Sequence, residues 1–298
     1  MSKAKVYFTK TITPERVVDM FKILKKDLPG KIAIKVHSGE DGNQNFLRPE
    51  FMKNIVDYLK GRIVECNTAY PGARNYTDKH KKLLEKHQWT PMYDVDLMDV
   101  EGDMTLKIDD GKVIKENYVG QNLKNYDSML VLSHFKGHQM GGYGGALKQL
   151  SIGVASTAGK AWIHSAGVTK DQDECWKKLP EQDKFLESMA DAAGSVVRYF
   201  KGNMAFINVM KNMSIDCDCN GNAATPEMKD VGILASLDPV AIDAACMDLV
   251  INSDDPGKTK FLERVNSLHG THTIDVANEI GYGTKNYELI DVINKNYF

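Results

Sequence analysis

The stretch from Ser133 to Gly153, SHFKGHQMGGYGGALKQLSIG, sets His134, Lys136, His138 and Lys148 among six glycines. Those residue types suit an anionic ligand. Lysines supply charge, histidines move protons or ligate metals near neutral pH, and glycines let backbone amides approach closely. Gly141, Gly142, Gly144 and Gly145 are therefore read as an anion-cradling turn with Lys136 and Lys148 beside it. A helix opening after them would aim its N-terminus, and Lys148, at the ligand. His138 and Lys148 are the candidate catalytic pair. His134 is a candidate metal ligand. So is His164, which lies sixteen residues past Lys148, after the small-residue loop STAGKAW. The spacing is neither that of a P-loop nor that of the dinucleotide-binding fingerprint. The ordinary alternative is a flexible turn with solvated lysines and structural histidines.

A second stretch, DCDCNGN, carries Cys217 and Cys219. A C-x-C pair can present two thiolates to one soft metal. Asp216 and Asp218 would raise the thiol pKa values unless a cation compensates, which favours a metallated pair over a free reactive dithiol. Two small turn cysteines are the alternative. With no C-x-x-C elsewhere, this is not a complete ferredoxin or zinc-finger pattern. In KVHSGEDGN, Lys35 and His37 join the candidate cofactor-binding set, and Glu40 and Arg48 lie close by. An arginine there could grip a carboxylate or phosphate bidentately. Tyr70 and Arg74 occupy the corresponding loop further on. Cys66, Cys175 and Cys246 read as inert, and His80, His87, His269 and His272 as surface residues. Asp238 reads as a helix N-cap and Asp243 as a charge on the same helix.

These residues must be positioned by regular elements, and the chain supplies them at high density. Apolar runs at 5–8, 31–36, 62–66, 128–135, 204–210 and 231–236 read as strands. Amphipathic stretches at 13–28, 49–60, 78–89, 182–200 and 238–251 read as helices, the first with Thr13 as N-cap and Pro14 just inside. MTLKID and KVIKEN flank Asp110-Gly111 and read as a hairpin. The alternation predicts an α/β fold, a mostly parallel sheet flanked by helices with a ligand cleft at the strand C-terminal ends. The chemistry-bearing loops all follow such strand ends. The 298 residues form either one α/β unit over 1–298 or two lobes with a boundary near 165–181.

Composition excludes some classes. Net charge is -2, with 42% hydrophobic and 26% charged residues. That balance gives no electrostatic footprint for nucleic acid or a membrane surface. No apolar run is long enough to span a bilayer, and the first residues lack a signal-peptide pattern. Five cysteines without scaffold spacing point to a reducing cytoplasm.

Four stretches, KVHSGEDGNQNFLRPEF, SHFKGHQMGGYGGALKQLSIGVASTAGK, NVMKNMSIDCDCNGN and DVGILASLDPVAIDAACMDLV, resemble domain-of-unknown-function family 362 (DUF362), in order along nearly the whole chain. Its members are often labelled iron–sulfur-centre proteins, and many carry an inserted ferredoxin module. Here the corresponding region, HSAGVTKDQDECWKKLPEQDKF, contains only Cys175. A more distant resemblance links GHQMGGYGGALKQLSIGVASTAGKAWIH to the nickel-pincer lactate racemase family, whose motif has the same order of His138, Lys148 and His164. The resemblance implies that Lys148 tethers an organic cofactor, His164 ligates nickel and His138 acts as acid or base. The racemase family's upstream Gly-Thr-His motif has no counterpart, because that region reads CNTAYPGAR.

The expected function is a metal- or cofactor-binding α/β protein, an enzyme acting on a small anionic substrate by racemase-like or redox chemistry. The metal ion would be nickel, iron or zinc. One alternative is a non-enzymatic iron–sulfur or electron-transfer partner served by a separate ferredoxin. Another is a phosphate- or nucleotide-binding module without metal.

Overall fold

The computed structural model describes residues 3–292. The chain opens with β1 (Ala4–Thr9) and α1 (Pro14–Lys22), and the Thr13 hydroxyl accepts the Arg16 amide at the helix start. Next come β2 (Ile32–Lys35), α2 (Pro49–Leu59), β3 (Arg62–Glu65), α3 (Thr77–Lys86), α4 (Trp89–Met92) and β4 (Val95–Leu97). β5 (Asp103–Lys107) and β6 (Glu116–Gly120) pair with each other apart from the main sheet. β7 (Ser128–His134) leads into a small ribbon of β8 (Lys136–His138) and β9 (Gly142–Gly144). α5 (Ala146–Lys148) follows and continues as a π-helical turn over Gln149–Gly153. The order closes with α6 (Thr157–His164), α7 (Gln182–Phe200), β10 (Met204–Met210), β11 (Gly232–Ser236), α8 (Pro239–Ile251), α9 (Lys258–Ser267), α10 (His272–Ile280) and β12 (Tyr287–Asp291).

The main sheet has eight strands in the order β12-β1-β11-β10-β7-β2-β3-β4. Only β11 runs antiparallel to its neighbours, β1 and β10; the other pairings are parallel. The cause lies in the connection. Parallel return needs a long crossover, usually a helix, whereas the segment between β10 and β11 contains none. It stays at the carboxyl end of β10 as a loop and carries Cys217 and Cys219. Strands β7, β10 and β11 are buried throughout, as continuous apolar runs require. Alternate residues divide between two cores. Met129, Val131 and Phe206 face the helices α5, α7 and α8, whereas Leu130, Leu132 and Ile207 face α1 and α2.

Three local expectations are corrected. STAGKAW is not a loop but the start of α6: the Ser156 hydroxyl caps it by accepting the Gly159 amide. Gly159 is there because a Cβ would lie 1.8 Å from the Tyr118 carbonyl oxygen. The hairpin is real and its reversal contains Asp110-Gly111, but the loop is longer than a two-residue turn. Lys107 pairs with Glu116, and the intervening loop wraps the Asp191 carboxylate, which accepts the amides of Lys112, Val113 and Ile114. The helix expected at 78–89 spans Thr77–Lys86, and Gln88 beyond it is left-handed, at φ 65°. No helix among the described residues is long and apolar enough to cross a membrane.

Candidate active site

The carboxyl ends of β2, β3 and β7 and the loop after β10 converge on a cavity of about 230 Å³. Lys35, His37, Arg74, His138, Lys148, Lys160, His164 and Cys219 line it. The convergence expected from the sequence is therefore present, and the hydrogen bonds around each side chain decide what it can do.

His138 sits at the end of β8, where the ribbon turns back. Its Nδ1 accepts the amides of Met140 (3.1 Å) and Gly141 (2.9 Å). A neutral ring so held carries its proton on Nε2, and Nε2 faces the Cys219 sulfur at 3.9 Å. Burial, helped by the nearby Lys148 charge, lowers its pKa to about 4. His164, at the end of α6, has the opposite tautomer. Its Nδ1 donates to the Lys160 carbonyl at 2.7 Å, which leaves a lone pair on Nε2. The ring lies between Trp176 and Phe185, with centroids 5.1 Å from each, and burial pushes its pKa down to about 3.

His134, read from the sequence as a metal ligand, is corrected to a strut. Nδ1 is 2.8 Å from the Asp218 carboxylate and Nε2 faces the Lys211 carbonyl. Both ring nitrogens are engaged by oxygens of the protein, so neither is directed at a metal site. Lys136 is likewise committed, its ammonium 3.1 Å from Asp218. Burial would raise the Asp218 carboxyl, but His134 and Lys136 hold it well below the usual carboxylate range. Asp216 also has a cation, with Arg264 at 3.3 Å. The aspartates flanking the cysteines are thus compensated, and the expected rise of both thiols does not occur. Burial opposes ionisation of Cys217, but a hydrogen bond from the Cys219 thiol and the Lys148 charge outweigh it and drive that thiol down. The same hydrogen bond raises Cys219. The two thiols are thus pushed apart, Cys217 being the one that ionises more readily.

Several amides in and after the Gly-rich turn are engaged within the protein. The Gly141 amide is used by His138, and the amides of Ala146 and Leu147 are taken by the Asp243 carboxylate at 2.8 and 3.0 Å. Asp243 is fully buried, not a helix-face charge, and also accepts from Asn208 and the Tyr143 hydroxyl. The glycines serve packing. A Cβ on Gly145 would meet this carboxylate at 2.5 Å, and Gly142 has φ +76° against the backbone of Gly270. Gly144 lies over the stems of Lys148 and Lys136.

The cavity's cations divide into two kinds. Lys35 is bound to Glu65 at 2.5 Å and to the Val36 carbonyl. Arg74 is fixed by Glu40 (3.2 Å), Glu65 (3.7 Å) and the Tyr70 hydroxyl (2.5 Å). Neither is free for a ligand. His37 accepts the Gly39 amide, and burial together with Arg74 lowers its pKa to about 4. Arg48 lies over the Phe46 ring and bonds the Gln44 carbonyl, away from the cavity lining. By contrast, Lys148 is half-buried, and its ammonium has no hydrogen-bond or carboxylate partner among the described residues. Lys160, missed at the sequence level, has only the Ala155 carbonyl at 2.5 Å. Its signal was the four-residue spacing from His164, obscured by reading STAGKAW as a loop. His80, expected at the surface, is fully buried between Ser38 and Asn67.

One ligand atom each from His138, Cys217 and Cys219 lies within 4.8 Å of the other two, a sulfur-rich set suited to a soft metal. The two thiols fit that role. The His138 tautomer fits it less well, because a ligating histidine normally donates its second ring N–H outward, whereas Nδ1 here accepts two. His164 has the tautomer a ligand needs but lies outside the cluster.

No curated protein matches the sequence. Among solved structures the chain is similar to the lactate racemase apoprotein of Thermoanaerobacterium thermosaccharolyticum, with 12% identity and a TM-score of 0.45 over 83% of this chain and 57% of that one. It is also similar to a Thermotoga maritima protein solved by the Northeast Structural Genomics Consortium, with 13% identity and a TM-score of 0.41 over 91% of this chain and 60% of that one. The chain thus spans less than two thirds of either. Residues 32–248, most of the sequence, match the domain of unknown function DUF362, and the chain belongs to that family.

Proposed function

We propose that the protein is an enzyme that binds a small anion of the 2-hydroxy-acid kind and moves a proton at it, beside a metal or tethered cofactor held in the same cavity. One observation carries this reading: the cavity presents an N–H at His138, a lone pair at His164 and an unpaired ammonium at Lys148. Lys148 would hold the anion or tether the cofactor. His138 would give and retake a proton at Nε2, and His164 Nε2 would accept one or ligate. Cys217 and Cys219 would hold a soft metal, which supplies Lewis-acid or electron-accepting chemistry when bound. The order of His138, Lys148 and His164 shared with the racemase motif supports the same assignment.

The test is intact mass and elemental analysis of protein isolated from its natural host. Expected are added mass on Lys148, or stoichiometric metal that is lost on Cys217→Ser with Cys219→Ser. Metal-free protein with an unmodified Lys148, and no calorimetric binding of 2-hydroxy acids, would overturn it. The dithiol also supports a second reading, in which a separate ferredoxin exchanges electrons with an iron–sulfur centre. Colour after anaerobic reconstitution with iron and sulfide, lost in the double serine variant, is the result that favours it.

A further inference from the structure

The floor of the cavity holds an amine that none of these roles uses. Lys160 is only 5% exposed yet lines the cavity, and its Nζ touches nothing but a backbone carbonyl. No carboxylate among the described residues lies within ion-pair distance of it. Its neighbour Lys35, by contrast, has taken Glu65. A lysine shielded from water, with no carboxylate to hold its charge, is pushed by burial towards the neutral, nucleophilic amine. Burial lowers its pKa, outweighing the opposing pull of Cys66, Asp99 and Glu65, with a smaller contribution from the Lys35 charge. Lys160 and His164 are four apart on α6, so they share one helix face, and the His164 ring is anchored on the Lys160 carbonyl.

We infer that Lys160 forms an imine with a small carbonyl acid, a 2-oxo acid being the oxidised counterpart of the substrate class proposed above. The Nζ lone pair attacks the carbonyl carbon and forms a carbinolamine. The former carbonyl oxygen then leaves as water, taking up two protons, one in the addition and one in the dehydration. Those protons come from the amine nitrogen, relayed through His164 Nε2, whose lone pair faces the same cavity. One C–O double bond is exchanged for one C–N double bond, with no change in oxidation state. Lys148 supplies the cation for the carboxylate.

The experiment incubates the full chain with glyoxylate or pyruvate at neutral pH, adds borohydride to reduce any imine to a secondary amine, and maps the product by peptide mass. The expected result is a single adduct per chain on Lys160, at least tenfold over any exposed lysine. It should be absent in Lys160→Arg and retained in Lys177→Arg, a change at an exposed lysine outside the cavity. No adduct, adducts spread over surface lysines, or an adduct confined to Lys148 would each overturn the inference. The wild-type map decides the matter even where Lys160→Arg fails to fold. The inference rests on the substrate class proposed above, but its readout is separate from the mass and metal content of the isolated protein, so failure of one is distinguishable from failure of the other.

Discussion

At the scale of single residues, the site is defined by which charges are already spent. His138, Lys148 and His164 were legible in the sequence because type and spacing alone drew attention to them. The partners that decide their roles were not, because they are remote in the chain. Asp218 binds His134 across 84 positions, and Asp243 binds Ala146 across 97. No local pattern encodes such a pairing. The Asp218 triad makes a residue-scale prediction. Its carboxylate pairs with the Lys136 ammonium and bonds the His134 ring in a site where all three are nearly inaccessible to water. Asp218→Asn leaves two donors, one of them a fixed ammonium, without their anion. Breaking a buried ion pair by removing one partner costs about 3–5 kcal/mol. Urea denaturation of the variant should show a loss of that size. A loss under about 1 kcal/mol, the range of an exposed pair, would show that the triad is not a strut.

At the scale of elements, the sequence described strands and caps well where the signal was local. The limits of α7 and β10 fall where the apolar periodicity put them, and Thr13 and Asp238 cap α1 and α8 as their types suggest. The errors came where a distant group reshaped a segment, as Asp191 does for the β5–β6 loop. The start of α5 is another such case. Its first amides are satisfied by Asp243 from the middle of α8, so one helix caps another, whereas Asp238 caps its own through Val240 and Ala241 at 2.9 Å. The two caps should differ in cost. Asp238→Ala at a partly accessible terminus should cost about 1 kcal/mol. Asp243→Ala strands two amides, the Asn208 side chain and the Tyr143 hydroxyl. At about 1–3 kcal/mol for each unsatisfied buried group, the loss should reach about 3 kcal/mol even after relief of the aspartate's own burial. That burial is felt in its pKa, raised to about 6. Thermal and urea melts of the two variants check the order. Equal losses would mean that α5 keeps its start without Asp243.

At the scale of the whole molecule, an eight-stranded sheet buries its loops' ionisable groups around one cavity, and stability inherits a pH dependence from them. Four histidines are held neutral chiefly by burial: His37 and His138 at about 4, and His80 and His164 at about 3, against an ordinary value of 6.5. The unfolded chain therefore binds protons as pH falls below 6.5 that the native state refuses until pH 4 or lower. More protons bound in the unfolded state means stability falls with pH through that window. Asp243 works in the opposite direction, since its raised pKa lets the native state take a proton first between its ordinary 3.8 and about 6. The balance near pH 5 is about three protons released on folding, a slope of about 4 kcal/mol per pH unit, because each proton contributes about 1.4. His80 tests this best, since it lies outside the cavity lining and is bonded only to Ser38 and Asn67. His80→Gln keeps a polar side chain there but cannot titrate. Urea midpoints of wild type should drop steeply from pH 7 to pH 5, and the variant's slope should be shallower by about 1.4 kcal/mol per pH unit. A wild-type profile flat across that range, or a variant with an unchanged slope, would mean that these histidines are charged in the native state. The assignment of His138 as a neutral Nε2–H donor would then fail with them.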